Sequence, residues 1–254
     1  MGMPHPTART RPTVWTVIGE LMLTAGVLLL LFAFYESYWT NIESGHKQDQ
    51  ANETLQEEWH NPRGAGHAPK LGEAFARLYI PAFGSDFAFA VLEGTDEDDL
   101  LRGPGHYTDT QMPGEPGNFA VAGHRVGKGA PFNDLGNLQA CDAIVIETAT
   151  DWITYRVLPI EGAAGDCFSP EQQAKPEYQA VQGRHITLPG DVSVLQPVPG
   201  MEGADPSESL LTLTTCHPQF SNAERMVIHA METDREAKAP GADDNERPAV
   251  LEEN

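Results

Sequence analysis

A run of 21 residues near the amino terminus, 14–34, contains a single charged side chain, that of Glu20. At about 1.5 Å per residue, a helix of this length crosses the roughly 30 Å hydrocarbon core of a bilayer. A cleaved signal peptide is the alternative, but the run is long for one and no small-x-small cleavage site follows it. We therefore expect residues 14–35 to form a transmembrane anchor.

Charged residues flank the apolar run asymmetrically. Arg9 and Arg11 precede it, whereas Glu36 and Glu43 follow it. Because basic flanks stay in the cytoplasm, residues 1–13 are expected to be a cytoplasmic amino terminus. The remainder of the chain is then extracellular, and the protein is a single-pass protein of the cell membrane.

The whole chain is acidic, with a formal net charge of −21 from 16 basic and 37 acidic residues. Nucleic-acid binding requires a basic face, so no nucleic-acid partner is expected. The same acidity gives the surface no electrostatic attraction to anionic lipids. Contact with the membrane is therefore expected through the amino-terminal helix.

Two polar segments enclose a region richer in apolar runs. Residues 36–73 lack sustained apolar periodicity, so we expect an extracellular stalk with some helix near residues 48–59. Residues 233–254 are dominated by acidic residues, Pro, Ala and Asn, a composition typical of a disordered tail. Residues 74–232 remain as the expected folded domain, which suits a chain of 254 residues.

Short apolar runs separated by turn-forming residues recur through the folded region and predict β-strands. These strands are expected near residues 75–80, 86–92, 119–123, 143–148, 152–160, 192–198, 210–216 and 226–231. Short helices are expected near 96–101 and 132–138. Many short strands with two short helices predict a mainly β fold, a closed β-barrel.

The acidic residues at 96–99 allow two interpretations. They fit the first turn of the short helix, where the helix dipole favours carboxylates. A calcium loop is the competing reading, but the segment lacks the spaced ligands and the glycine of such a loop. We therefore expect no metal site here, and no other segment predicts a metal or a cofactor.

The strand expected at 210–216 ends in a cysteine. Leu211 and Leu213 alternate with threonines, and Pro218 cannot continue a central ladder, so the strand stops near Cys216. A thiol at a strand end is held by a rigid element and faces an open cleft, which suits a nucleophile. The alternative is a small buried hydrophobic residue, as most free cysteines are.

A histidine and an arginine occupy comparable positions. His124 follows the strand expected at 119–123, and Arg225 lies nine residues after Cys216, where the next apolar run opens. Acyl transfer needs a nucleophile, a proton donor for the leaving amine and charge stabilisation on the oxygen, and these three residue types supply all of them. For Arg225 the alternative is a surface arginine paired with Glu224.

Together these motifs resemble the sortases. Residues 212–216 read Thr-Leu-Thr-Thr-Cys, an arginine follows at 225, and Gly-His stands upstream at 123–124. The sequences of residues 101–107, 117–135 and 210–230 resemble in particular those of class E sortases from Gram-positive actinobacteria. The resemblance covers roughly residues 74–232, and it implies a sortase-type barrel of nominally eight strands with that segment as the catalytic domain.

The resemblance implies a cysteine transpeptidase that needs no cofactor. Cys216 would attack the Thr–Gly bond of an LAXTG- or LPXTG-like sorting signal, and His124 would protonate the departing amine. Arg225 would stabilise the oxyanion or position the peptide. The implied partners are secreted proteins bearing the signal and an amine acceptor, either a peptidoglycan precursor or a pilin.

Further residues are candidates for substrate binding. In class E sortases a tyrosine in the segment of Tyr107 lines the peptide pocket and accompanies a preference for LAXTG signals, so the resemblance implies this role for Tyr107. A packed aromatic is the alternative. Thr214 and Thr215, which precede the cysteine, are further candidates for contact with the peptide.

Two other cysteines need an explanation. If Cys216 is the nucleophile, Cys141 and Cys167 form an even pair that brackets the hairpin expected from 143 to 160. An oxidising exterior permits a disulfide between them. Two buried free thiols are the equal alternative.

Three other functions compete with cell-wall anchoring. A pilus-assembly sortase would use the same residues, and a non-catalytic extracellular barrel or scaffold would keep only the fold. A secreted cysteine protease would orient its histidine with Asn or Asp and release an acid. Comparison of amide and acid products with and without a supplied amine separates the protease from the transpeptidases.

Overall fold

A computed structural model of the chain describes residues 13–35, 40–60, 68–162, 166–238 and 247–253. Its longer helices are α1, Val14–Phe34, and α2, Thr40–Trp59. The short helices that follow are α3, Glu97–Leu100, α4, Pro170–Gln173, and α5, Pro176–Gln179.

Helix α1 occupies the position expected of the membrane anchor. It is long and apolar enough to cross a membrane, and none of its side chains is buried against the rest of the protein. Arg9, Arg11 and Glu36 lie outside the described residues. The orientation of α1 across the membrane therefore stays a prediction.

The strands within the described residues form one sheet. They are β1, Ala74–Tyr79, β2, Ala88–Glu93, β3, Gly105–His106, β4, Gly117–Ala122, β5, Ala143–Glu147, β6, Asp151–Val157, β7, Arg184–Thr187, β8, Ser209–His217, and β9, Glu224–Ala237.

The sheet closes on itself. Hydrogen bonds link the strands in the order β6-β5-β1-β2-β3-β4-β8-β9, and β9 returns to pair with β6, while β7 pairs with the first half of β9. The neighbours β2–β3 and β4–β8 are parallel and the other pairs are antiparallel. Closure leaves this ring of eight described strands without a free edge. The predicted barrel is therefore confirmed.

Alternation along the strands fills the barrel. On β8, Leu211 and Leu213 point inward, where they join Phe119, Tyr155 and Ile228 in a core whose members are fully buried. Burial of one such side chain stabilises the fold by roughly 1.5–3 kcal/mol. The leucine–threonine alternation in the sequence therefore determines which face of β8 is left for the site.

One expected strand is wrong. Residues 192–198 were expected to be extended, but Val192–Leu195 is a 3-10 helix. Asp191 precedes this helix, and its Oδ1 accepts the backbone N–H of Ser193 at 3.1 Å. The strand that pairs with β9 here is instead β7, which was not among the expected strands.

The expected stalk differs from the structure because α2 packs on the barrel. Ala51 and Leu55 are buried against β1 and β2, and Trp59 packs beside them. These residues recur every four positions, so they form one apolar stripe along a helix. The stripe is too narrow to dominate the composition of residues 36–73, yet it is wide enough to dock the helix.

The expected tail also differs. Strand β9 runs on to Ala237 and pairs with β6 along its second half, although most of its side chains there are exposed. Beyond the gap at 239–246, Val250 and Leu251 pack against Tyr79 and Trp152. Backbone pairing and a short apolar segment thus order parts of a stretch whose composition indicated disorder.

The free and paired cysteines are distinct in the structure. Cys141 and Cys167 form a disulfide with an S–S distance of 2.08 Å and a Cα–Cα distance of 5.8 Å. Cys216 is a free cysteine and is half-buried. The arrangement leaves Cys216 as the reactive candidate among the described residues.

Replacement of Leu55 by alanine tests whether α2 belongs to the folded unit. Leu55 is fully buried, so Leu55→Ala should lower the free energy of unfolding by about 2–5 kcal/mol. Urea unfolding of the detergent-solubilised full chain, followed by near-UV circular dichroism, measures the change. The exposed Glu57→Ala is the matched control and should shift stability by about 0.5 kcal/mol or less. Equal effects of the two variants would show that α2 is a free linker.

Candidate active site

Strand register brings the three predicted catalytic residues together. In the parallel pair β4–β8, Ala122 lies opposite Thr214. Gly123 continues this contact by hydrogen bonding to Thr214 and Thr215, and His124 and Cys216 are the residues that follow on the two segments. In the antiparallel pair β8–β9, Cys216 lies directly opposite Arg225. Cys216 therefore lies on the middle one of three neighbouring segments of the sheet. The segment with His124 is on one side of it, and the strand with Arg225 is on the other.

The Cys216 side chain lies on the outer face of the barrel. Leu211 and Leu213 fill the core, so Thr214 and Cys216, which alternate with them, face outward. The thiol is half-buried rather than enclosed. An extended peptide therefore has access to it from outside.

Thr215 supports the site from within. Its side chain is 3% exposed, and its Oγ1 donates to the carbonyl oxygen of Gly123 at 2.8 Å. The backbone N–H of Gly123 donates to the carbonyl of Thr214 at 3.1 Å. These bonds join the chain before His124 to the chain before Cys216. Thr215 is thus placed as a support for the strand ends and away from the outer face, where a peptide contact was expected.

Thr214 and Tyr107 are placed together. The Tyr107 hydroxyl and Thr214 Oγ1 form a hydrogen bond of 2.9 Å. Thr214 is 5% exposed, and Tyr107 is half-buried on the same outer face as the thiol. Two residues before Cys216, this hydrogen-bonded pair gives the outer face of the barrel a polar surface.

His124 is half-buried, and its surroundings favour the neutral imidazole. Burial lowers the pKa of its imidazole, the Lys128 ammonium lowers that pKa further, and the Glu97 carboxylate raises it. Its Nε2 is buried and has no hydrogen-bond partner among the described residues. A buried imidazole nitrogen without a partner is available to a reacting group.

Arg225 is held by the turn between β8 and β9. Its Nη1 donates to Oδ1 of Asn222 at 2.8 Å and to the carbonyl oxygen of Glu224 at 3.0 Å. The contact with Glu224 is thus with the backbone, whereas the alternative interpretation was an ion pair with its carboxylate. The guanidinium is oriented by the loop that leads away from Cys216.

Asn222 is a site residue that the sequence analysis missed. Its Oδ1 accepts from Arg225 and also lies 3.5 Å from Sγ of Cys216, which donates to it. Asparagine is common in turns, so its identity alone carries no functional signal. Its position, three residues before Arg225 in a tight connection, was the available clue.

A cavity lies away from Cys216. It has a volume of about 520 Å³ and is lined by Leu158, Tyr178 and Met231 beneath the connection between β6 and β7. Met231 pairs with Leu210, six residues before Cys216 on β8. Among the described residues, no group of three or more His, Cys, Asp or Glu side chains is arranged to hold a metal ion.

Comparison with known families gives a match over most of the barrel. Residues 78–233 match the model of the Sortase domain. The chain is 33% identical over 234 residues to Sortase SrtE1 of Streptomyces coelicolor, covering 89% of this chain and 59% of that protein. It is 30% identical over 227 residues to Sortase SrtE2 of the same organism, covering 84% and 79%. The chain thus spans less than two thirds of the length of SrtE1.

Solved structures show the same similarity. The SrtF sortase from Corynebacterium diphtheriae is 57% identical, with a TM-score of 0.69 over 76% of this chain and 98% of that one. Sortase E from Streptomyces avermitilis is 34% identical, with a TM-score of 0.53 over 72% and 99%. Sortase E1 from Streptomyces coelicolor, solved with a tripeptide in its active site, is 28% identical, with a TM-score of 0.55 over 72% and 99%.

The ion pair beside His124 provides a test of the electrostatics of the site. Lys128 Nζ lies 2.6 Å from Glu97 Oε1, and the two charges shift the pKa of His124 in opposite directions. Lys128→Met should therefore raise the pKa of His124, and Glu97→Gln should lower it. NMR titration of the imidazole, assigned with His124→Gln, measures both shifts, and added salt should shrink them. Shifts of the same sign in the two variants would contradict this account.

Proposed function

Because the chain belongs to the sortase family, and within it to class E, we propose that it is a membrane-anchored cysteine transpeptidase. It cleaves an LAXTG- or LPXTG-like sorting signal between Thr and Gly and transfers the acyl chain to a cell-wall amine. The observation that carries this proposal is the set of contacts around Cys216. Arg225 lies directly opposite it on β9, and Gly123, which precedes His124, bonds to Thr214 and Thr215 on β8. A barrel kept only as a scaffold has no need of that combination.

The proposed reaction begins with Cys216. Its sulfur bonds to the threonine carbonyl carbon, and the thiol proton passes to His124, which is neutral and has an unpartnered Nε2. The imidazolium then gives this proton to the glycine nitrogen as the Thr–Gly bond breaks, leaving a thioester. An amine attacks the thioester, and its proton returns through His124 to the departing sulfur. The products are a new amide and free Cys216.

Arg225 acts on the oxygen in this proposal. In the free protein its Nη1 binds Asn222 and the backbone, and Asn222 also reaches the thiol. A peptide carbonyl over Cys216 would replace the Asn222 oxygen as the acceptor. The guanidinium then meets negative charge only as the tetrahedral intermediate forms, which is where stabilisation accelerates a reaction.

The proposed setting is the outer face of a cell membrane. Residues 1–13 are cytoplasmic, 14–35 form the anchor, and the catalytic unit combines residues 74–232 with the docked helix α2 and the second half of β9. Secreted proteins that carry the sorting signal supply the acyl chain, and a peptidoglycan precursor supplies the amine. A pilin amine is the alternative acceptor. In this oxidising setting the Cys141–Cys167 disulfide persists.

Thioester trapping tests the roles of the three residues. Cys216→Ala should abolish both cleavage and transfer. His124→Ala and Arg225→Ala should lower kcat about 10²–10³-fold with small changes in melting temperature, because each removes one group that acts in the transition state. Mass spectrometry of full-length protein incubated with LAXTG and LPXTG peptides, with and without candidate amines, measures the thioester, the acid and the amide.

Two controls accompany this experiment. Alkylation of exported, unreduced protein should modify a single thiol, because Cys141 and Cys167 are bonded to each other. A thioester on either of them in Cys216→Ala would overturn the assignment of the nucleophile. Acid as the sole product in the presence of amines would identify a protease instead.

The Tyr107–Thr214 pair generates a prediction on specificity. A proline in the signal removes a backbone donor that alanine keeps, so a hydroxyl that accepts this N–H favours alanine by about 1–3 kcal/mol, or roughly 5- to 150-fold. Tyr107→Phe should therefore narrow the ratio of kcat/KM for LAXTG over LPXTG, and Tyr107→Ala should narrow it at least as much. Thr214→Ser keeps the partner hydroxyl and serves as the control. An unchanged ratio in both Tyr107 variants would leave the ring a packing residue.

A further inference from the structure

One side chain links the two catalytic strand ends beyond their last backbone bonds. Arg125 directly follows His124, and its Nη1 donates to the carbonyl oxygen of Cys216 at 3.2 Å. The same Nη1 lies 2.6 Å from Nδ1 of His217. Arg125 is half-buried, and its Nε is buried without a hydrogen-bond partner among the described residues. Partial burial of the Arg125 guanidinium has a free-energy cost of desolvation. Its hydrogen bond is made to the backbone of Cys216, the proposed nucleophile.

The backbone after His124 cannot make this link itself. Strand β4 ends at Ala122, and four consecutive residues, 127–130, have positive φ values. Such values belong to turns, so the chain leaves the ladder immediately after the histidine. The last backbone bond between the two chains is the one from Gly123 to Thr214. Beyond that bond, Arg125 donates to the carbonyl oxygen of Cys216. Its guanidinium is charged, so this hydrogen bond is stronger than one from a neutral amide.

The contact with Arg125 also determines which ring nitrogen of His217 carries the proton. An arginine has no acceptor, so Nδ1 of His217 accepts and its proton resides on Nε2. His217 is the neighbour of Cys216 on β8 and points to the opposite face. Arg125 therefore hydrogen-bonds to both Cys216 and His217, and it does so on the side of β8 opposite the outer face proposed to bind the peptide. On the neighbouring strand β9, Glu224 lies opposite His217 and Arg225 lies opposite Cys216.

We propose that Arg125 is a positioning residue for acyl transfer, which fixes the separation of His124 and Cys216 by tying the histidine loop to the nucleophile's carbonyl. The proposal rests on the transpeptidase function and deepens it. Proton transfer between sulfur and imidazole requires both groups within hydrogen-bond reach, and a misplacement of about 1 Å can cost roughly 10²-fold in rate. The peptide binds to the other face, so its affinity does not depend on this bond.

Kinetics of full-length protein in detergent test the proposal. Arg125→Met keeps the length of the side chain and removes its donors, so kcat for thioester formation should fall about 10- to 100-fold while KM stays within about twofold. Arg125→Lys retains a charged donor and should recover most of the loss. In the ¹⁵N NMR spectrum, the Nδ1 signal of His217 should shift in Arg125→Met, because its hydrogen bond is gone.

Arg102→Met is the matched control. Arg102 is also partly buried and donates from Nη1 to a backbone carbonyl, that of Gly72, at 2.7 Å, but it lies outside the site. It should lower the melting temperature without changing kcat. A kcat for Arg125→Met equal to that of wild type or of Arg102→Met would overturn the proposal, and so would an unchanged His217 signal, whatever the activity. Wild-type protein that forms no thioester would refute the transpeptidase, while the His217 signal would still decide whether the link exists.

Discussion

The parallel pairing of β4 with β8 is the constraint on which the rest of the site depends. Its register sets Ala122 opposite Thr214, and His124 and Cys216 each follow two residues later on their own segment. A slip by one residue would turn every side chain of β8 to the other face, burying the thiol and exposing Leu213. The core side chains that oppose this slip therefore also maintain the geometry of the site. Packing energy and catalytic geometry are the same constraint in this barrel.

Strand β9 extends that constraint to the third residue. It pairs with β8 and β7 along its first half and with β6 along its second, so it closes the barrel and carries Arg225 at its beginning. Because both sides of this half are paired, Arg225 has a fixed backbone and only its side chain is free to change partners. Exchange of Asn222 for a peptide oxygen then needs no rearrangement of the fold.

The features predicted from the sequence are those that local pattern determines. The alternation around Leu211 and Leu213 indicates a strand with one core face, and its end near Cys216 follows from Pro218, which cannot extend a central ladder. The docking of α2 through Leu55 depends on a partner surface far away in the sequence, and so does the link from Arg125 to the Cys216 carbonyl. The apolar stripe of α2 is too sparse to stand out within residues 36–73, and the Arg125 contact has no periodic pattern at all. The extension of β9 was missed for the same reason, since backbone pairing places no demand on exposed side chains.

The charges at the catalytic end set the direction of the first proton transfer. Burial and the Lys128 ammonium lower the pKa of His124, which favours the neutral ring, so in the proposed reaction the imidazole begins as an acceptor of the thiol proton. Once charged, the ring is unfavourable in that half-buried position, and the leaving amine relieves it by taking the proton. The Glu97 carboxylate opposes this effect, because it raises the same pKa. A ring held neutral, yet not prevented from charging, can both receive a proton and return it within one cycle.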